Sequence, residues 1–231
     1  MAKTYKIGTR TSPLALRQVD EVVNKLRKFY PEFQYKIIGI NTHGDRDRIT
    51  PISKIEGTDF FTQEIDVALL GREIDFAVHS AKDLPDEIPK DLTIAAITRS
   101  VDPFDALVSK GNLKIDQLPS GAKIGASSLR RKTQLKKYRK DFQIISIRGN
   151  IEERLQGLDF GYQPSIVKHK LNLDAIIVAA CALVRLGLKN RITQRITMNI
   201  LRPHPLQGSL AIVVRKDDTL TRKFLNCLSD E

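Results

Sequence analysis

Tyr5-Lys6-Ile7-Gly8-Thr9-Arg10-Thr11-Ser12-Pro13-Leu14-Ala15-Leu16 is the stretch that decides the fold. Tyr5 to Thr9 reads as a short strand, and Ser12-Pro13 supplies a capping hydroxyl and a pre-set φ for the start of a helix. Leu14, Leu16, Val19, Val22, Val23 and Leu26 continue at helical spacing. Strand, turn, helix is the opening of an α/β unit.

Further along, Tyr35 to Ile40 predicts a strand, Phe60 to Leu70 a helix, and Phe76 to Val78 and Leu92 to Ile97 two more strands. They alternate as they would around a parallel sheet. The pattern restarts after Asp102-Pro103. Ala106 to Val108 and Ile124 to Gly125 read as strands, Leu129 to Tyr138 as a helix, and Phe142 to Ile147 and Asp174 to Ala179 as strands. Leu210 to Val214, following Pro203 and Pro205, is expected to return to the first sheet. The expected organisation is therefore two α/β domains, residues 1–99 with 203–231 and residues 100–202. Two crossovers would join them as a hinge, with ligand in the cleft at the strand carboxyl ends. Phe160 to Asn172 is polar and basic and reads as a surface insertion, a loop or irregular helix.

Hydrophobic residues at 41% and charged residues at 28% are ordinary for a globular chain. Lys and Arg number 38 against 27 Asp and Glu, a net charge of +11, so the surface field favours anionic partners without choosing among them. Aromatic residues make up 6% and Trp is absent, which leaves few rings for stacking single-stranded bases. Met1 to Lys6 has no apolar signal core, and the apolar run Ala175 to Val184 is too short to cross a bilayer, so a cytoplasmic location is expected. Cys181 and Cys227 match no disulfide or metal spacing, and reduced thiols are expected. His43-Gly44-Asp45-Arg46-Asp47 lacks the recurrent ligands of a metal shell and reads as a turn with functional polar side chains. There is no phosphate-binding Gly-rich loop, dinucleotide fingerprint or serine nucleophile elbow.

Three stretches carry chemistry. Ser127-Ser128-Leu129-Arg130-Arg131, then Arg148-Gly149-Asn150 and Arg154, gather guanidinium groups where two strands should end. Arginine forks match carboxylate or phosphate oxygens in pairs, so a small, multiply anionic ligand is implied. Arg130 and Arg131 could be simple first-turn charges, but a helix N-terminus repels cations unless an anion is present. His79-Ser80-Ala81-Lys82-Asp83-Leu84-Pro85 follows a buried-looking strand and places an acidic side chain where a reaction with a cationic intermediate would need one. The alternative is a helix cap with a surface lysine. Arg10 and Ser12 sit at the first strand-to-helix turn, the usual anion site of an α/β unit, or else Ser12 only caps and Arg10 is solvated.

Together with Asp174-Ala175-Ile176-Ile177, Arg185-Leu186-Gly187-Leu188 and Gln207-Gly208, these stretches resemble the porphobilinogen deaminase (hydroxymethylbilane synthase) family from about Ile7 to Leu225. The resemblance implies a fold similar to type II periplasmic binding proteins. It also implies condensation of four porphobilinogen molecules, each losing ammonia, to the linear tetrapyrrole hydroxymethylbilane of haem biosynthesis. Each pyrrole carries acetate and propionate, to which an arginine-rich site is complementary. One such ion pair at about 4 Å and an effective dielectric near 20 is worth on the order of 4 kcal/mol before desolvation.

On this resemblance Asp83 is the catalytic carboxylate, facing the azafulvenium cation left when ammonia departs. Arg10, Arg130, Arg131, Arg148 and Arg154 would hold carboxylates. Ser12, Ser80, Ser127 and Ser128 would add donors, Lys54 and Lys82 would complete the cationic lining, and Gly149 and Gln207 belong to the same binding set. No metal is implied. The family's dipyrromethane cofactor hangs from a Gly-Gly-Cys loop in a third domain that this sequence, ending at Glu231, does not reach, and neither Cys181 nor Cys227 occupies that position. Dipyrromethane is therefore expected without its usual attachment. Cys181 reads as a buried small side chain. Thr58 stands where the family has the Lys of a Gly-Lys-Gly pattern, beside Glu56 and Asp59. The expected partner is porphobilinogen, with no nucleic acid and no membrane, and the chain is expected to be a monomer. A non-catalytic or partner-dependent pyrrole-binding protein is the alternative. A nucleic-acid binder would require strongly salt-dependent affinity for polymer.

Overall fold

A computed structural model of the chain describes residues 3–47, 50, 55, 57–164 and 169–229. Its named elements are, in order, β1 (Thr4–Arg10), α1 (Pro13–Phe29), β2 (Gln34–Ile40), α2 (His43–Arg46), α3 (Gln63–Leu70), β3 (Phe76–Ser80), β4 (Leu92–Ile97), β5 (Asp105–Ser109) and β6 (Lys123–Ala126). After these come α4 (Leu129–Tyr138), β7 (Gln143–Ser146), α5 (Ile151–Phe160), β8 (Ala175–Ala179), α6 (Ala180–Arg185), β9 (Gln194–Ile196), β10 (Leu210–Arg215) and α7 (Thr219–Leu225). The described residues divide into two compact units, one of 3–47, 57–101 and 208–229, the other containing 102–164 and 169–207.

The first unit is built on a five-stranded sheet in the order β2-β1-β3-β10-β4. β1 runs parallel to β2 and β3, whereas β10 is antiparallel to both β3 and β4. The alternation reads as that of a parallel sheet, and β10, which joins this sheet, enters it reversed and makes it mixed. Helix α1 starts where the sequence placed it: Ser12 Oγ accepts from Ala15 N at 3.3 Å, and Pro13 occupies the first turn. Ala15, Val19, Val22, Val23 and Leu26 are buried along one face. Leu16 points outward, 38% exposed, and Gln18 takes an inward position instead.

The second unit has the order β7-β6-β8-β5-β9. β6 is parallel to β7 and β8, and β5 is antiparallel to β8 and β9. Each sheet therefore holds three parallel strands, then a reversed fourth, then a fifth. The fully buried runs Ala175–Ala179 and Leu210–Arg215 lie inside their sheets, as continuous apolar sequence requires when both faces are covered. The Phe160 to Asn172 stretch is tied at its ends: Tyr162 and Leu171 exchange backbone hydrogen bonds of 2.8 and 2.7 Å, and Tyr162 is buried. Residues 165–168 lie outside the described set.

Candidate active site

In the first unit the parallel strands β1 and β3 both end at one cavity. Among its lining residues are Thr9, Arg10, Ser12, Gln18, Phe61, Thr62, His79, Ser80 and Asp83, and its volume is ≈ 50 Å³. Arg10, the last residue of β1, turns its Nε and Nη2 to the Asp45 carboxylate, with Nε at 3.1 Å from Oδ1. The guanidinium also lies over the Phe61 ring, 4.6 Å from its centroid. Asp45 Oδ2 accepts from Thr42 N at 3.1 Å and Thr42 Oγ1 at 2.9 Å. Burial pushes the Asp45 carboxyl up, but Arg10 and Thr42 outweigh it and hold it below the usual carboxylate range. The His43 to Asp47 stretch is thus a turn of helix that fixes Arg10, and Asp45 is a partner the sequence reading did not assign.

β3 ends at Ser80, whose Oγ accepts from Gln18 Nε2 at 2.8 Å. A 3-10 turn, Ala81–Asp83, follows and leaves Asp83 exposed and Lys82 half-buried. His79 is only 6% exposed, and its Nε2 is buried without a hydrogen-bond partner among the described residues. Burial, joined by the Arg10 charge and opposed by Asp83, pushes its pKa down to about 4, so the ring is neutral near pH 7. Lys54 lies outside the described residues.

Asp66 on α3 lies beside Thr62, one of the lining residues. Burial pushes its pKa up to about 6, against the pull of a Thr62 hydrogen bond and with help from the Asp59 charge. Between the ordinary 3.8 and about 6 the folded chain holds a proton that the unfolded chain has released, so stability falls as pH rises through that window. Asp66→Asn is therefore expected to be more stable than the parent at pH 8, by roughly 1–3 kcal/mol, and indistinguishable near pH 3. Urea unfolding at the two pH values measures this, and an equal effect at both would refute the account.

The second unit gathers its candidates where β6, β7 and β8 end. Ser127 Oγ donates to Ile147 O at 2.8 Å, so its hydroxyl hydrogen is used within the fold. Ser128 caps α4, accepting from Arg131 N at 3.3 Å. The reading that Arg130 and Arg131 need an anion holds, but that anion belongs to the chain. Because β5 runs against β8, its first residue, Asp105, sits at the end of β8 paired with Ala179, and reaches the first turn of α4. Arg130 Nη2 is 2.7 Å from Asp105 Oδ2, and Arg131 Nε and Nη2 are 3.0 and 2.6 Å from Oδ1. Gln207 Nε2 adds a contact of 3.1 Å to the same carboxylate and one of 2.8 Å to Pro103 O. Asp105 and Gln207 are 0% exposed and Arg131 5%. Burial pushes the Asp105 carboxyl up, and the two guanidinium groups more than reverse it. Within this trio two cations against one anion leave a single net positive charge.

Arg148 N donates to Tyr162 Oη at 2.8 Å, and Arg154 Nε donates to Gly149 O at 2.8 Å. Asn150 caps α5, with reciprocal 2.8 Å bonds between its side chain and backbone and those of Glu153. Gly149 has φ +100°, and a Cβ there would come within 2.5 Å of the Glu153 carboxylate. Gly149→Ala should therefore cost about 1–3 kcal/mol and displace the carbonyl that Arg154 grips. Thermal unfolding together with ligand affinity measures both effects. Cys181 is buried in α6, and Cys227 Sγ lies 3.5 Å from Phe224 O. Among the described residues no three His, Cys, Asp or Glu side chains gather as a metal would need, and no helix is long and apolar enough to cross a membrane.

Residues 5–223 match the family model described as porphobilinogen deaminase, dipyromethane cofactor binding domain. The chain belongs to the porphobilinogen deaminase family. It is 46% identical to the porphobilinogen deaminase of Natranaerobius thermophilus, covering 97% of this chain and 70% of that protein. To the Brevibacillus brevis porphobilinogen deaminase it is 44% identical over 98% of this chain and 70% of that one. Among solved structures it shares its fold with immunogenic lipoprotein A from Vibrio vulnificus, at TM-score 0.53 and 13% identity, covering 96% and 94% of the two chains. The methionine binding protein MetQ shares it too, at TM-score 0.52 and 12% identity over 98% and 91%. Within the deaminase match lie all the site residues named above, Asp83 and the arginines included.

Proposed function

We propose that this chain is a hydroxymethylbilane synthase, joining four porphobilinogen molecules head to tail with loss of one ammonia at each step. The observation that carries the reading is the meeting of Asp83 with Arg10, Ser80 and His79 around one cavity at the ends of β1 and β3, inside the matched span.

Asp83, exposed on a short turn held by the sheet, offers a carboxylate to the pyrrole nitrogen and to the cation formed as ammonia leaves. Arg10, braced by Asp45 and Phe61, is positioned with Ser12 to receive a carboxylate of the incoming pyrrole. Arg130, Arg131, Arg148 and Arg154, with Ser127 and Ser128, would hold acetate and propionate groups of the pyrroles already joined. Lys54 and Lys82 add positive charge, and Gly149 and Gln207 keep the arginines in place.

Dipyrromethane fits this donor set. The Asp105 carboxylate between Arg130 and Arg131 leaves that trio with one net positive charge, which supports a ligand bearing carboxylates. When bound, dipyrromethane supplies the pyrrole carbon to which the first unit is joined. The chain works as a cytoplasmic monomer, acts on porphobilinogen and binds no nucleic acid.

The test is consumption of porphobilinogen by the purified chain, followed by oxidation of the product and porphyrin absorbance. Consumption with porphyrin formation supports the reading. Tight pyrrole binding without consumption would favour a binding protein or a partner-dependent enzyme, since this fold alone chooses no chemistry.

A further inference from the structure

We propose that the cavity beside Asp83 is the pocket for the amine leaving group, with His79 Nε2 accepting a hydrogen bond from that nitrogen; the inference rests on the reaction proposed above.

Four observations converge on His79. It sits in β3 next to Val78, which is 2% exposed, at a position where an apolar side chain would pack as well. Its Nε2 is nonetheless buried with no partner among the described residues, and a buried polar atom left unmatched is unfavourable unless something arrives to meet it. The ring lines the same cavity as Asp83 and Ser80. Thr9 Oγ1, 0% exposed and likewise without a partner among the described residues, lines it too.

Size and charge select the occupant. The cavity space of ≈ 50 Å³ suits a group the size of a few water molecules. The substrate's small protruding group is its aminomethyl nitrogen, which enters as an ammonium and needs acceptors. An imidazolium would repel it. The charged groups bearing on His79 are Asp83 and Arg10, and burial with Arg10 keeps the ring neutral, so one ring nitrogen carries a lone pair; it is assigned to Nε2, the nitrogen without a partner among the described residues. Arg10 is itself engaged by Asp45, which limits its repulsion of the substrate cation.

The chemistry then divides between two residues. The bond between the methylene carbon and nitrogen breaks, its electron pair leaves with nitrogen as ammonia, and the positive charge stays on the methylene and its ring. Atoms and charge balance without a further reactant. His79 follows the nitrogen, before and after the break, while Asp83 faces the charge left on carbon. A neutral acceptor suits a group that changes from ammonium to ammonia, because it can hold both without trapping the product as an ion pair.

The test compares the parent with His79→Phe and His79→Gln. Two readouts are used: inhibition of porphobilinogen consumption by methylammonium, and the ¹⁵N signal of His79 during methylammonium titration of labelled protein without substrate. His79 is one of four histidines, so the variants assign its signal. In the parent, methylammonium should compete with porphobilinogen and shift the His79 signal. His79→Phe should lose about 10- to 100-fold in kcat/KM and bind methylammonium roughly tenfold more weakly, and His79→Gln, whose amide reaches the same place, should recover part of both. If His79→Phe does not fold, the Gln variant and the parent titration carry the test. Turnover with an unmoved His79 signal, or equal methylammonium inhibition in all three proteins, overturns the pocket and leaves the proposed reaction standing. No consumption by the parent overturns both.

Discussion

Asp83→Ala is expected to lower porphobilinogen consumption by about 10²–10³-fold while leaving the fold intact. The two halves of this expectation have separate physical grounds. Asp83 is exposed on a 3-10 turn, so its removal should change stability by no more than about 0.5 kcal/mol. The reaction, by contrast, develops positive charge on carbon where only a fixed negative group can meet it without reorganising solvent. Turnover and thermal unfolding measured on the same sample separate the two. A variant that keeps more than roughly a tenth of the parent's rate, at an unchanged melting temperature, would remove Asp83 from the mechanism.

Asp105→Ala should produce the largest loss of stability, about 3–5 kcal/mol, because it leaves the nearly buried Arg131 and its neighbour Arg130 with no anion between them. The pH dependence has a definite sign. With its carboxyl held below the ordinary value in the folded chain, Asp105 stabilises fully above that ordinary value and loses the contribution as pH falls through the folded one. Urea unfolding from neutral pH downward should therefore show the gap between parent and variant closing in acid. A gap that stays constant, or a variant as stable as the parent at neutral pH, would mean that the arginines find water or another anion at little cost.

Those two residues mark what sequence could and could not convey. Asp83 stands out as a candidate in sequence because its surroundings are local: a buried strand, a short polar stretch and a proline. Asp105 does not, although Asp102-Pro103 beside it does. Its role depends on β5 running against β8, which places its carboxylate at the first turn of a helix beginning at Leu129. Helix and strand periods report which face is buried, but they are silent on strand direction. For the same reason β10 was rightly returned to the first sheet while its reversal went unseen. Arg148-Gly149-Asn150 reads as a binding motif, and it is also the start of helix α5, where Asn150 and Glu153 form a capping box. The strand expected over Asp174 to Ala179 is β8, but the helix α6 that follows it directly has no signal beyond a continuing apolar run. In sequence His79 is one member of the polar stretch His79 to Pro85. Its buried, unmatched nitrogen is a property of the packed chain, and no residue pattern announces it.

The position of β10 also bears on how the protein is made. Within its sheet β4 pairs only with β10, so Leu92–Ile97 leaves the ribosome long before the strand that will hold it. From Ile97 to Arg215 is 118 residues (215 − 97). At roughly 5–20 residues per second that is a wait on the order of ten seconds. All five strands of the second unit's sheet lie between Asp105 and Ile196, so that sheet can close in the interval. A nascent chain arrested before Leu210 should thus present a finished second unit and a first unit with β4 open to solvent, a vectorial order written by one reversed strand.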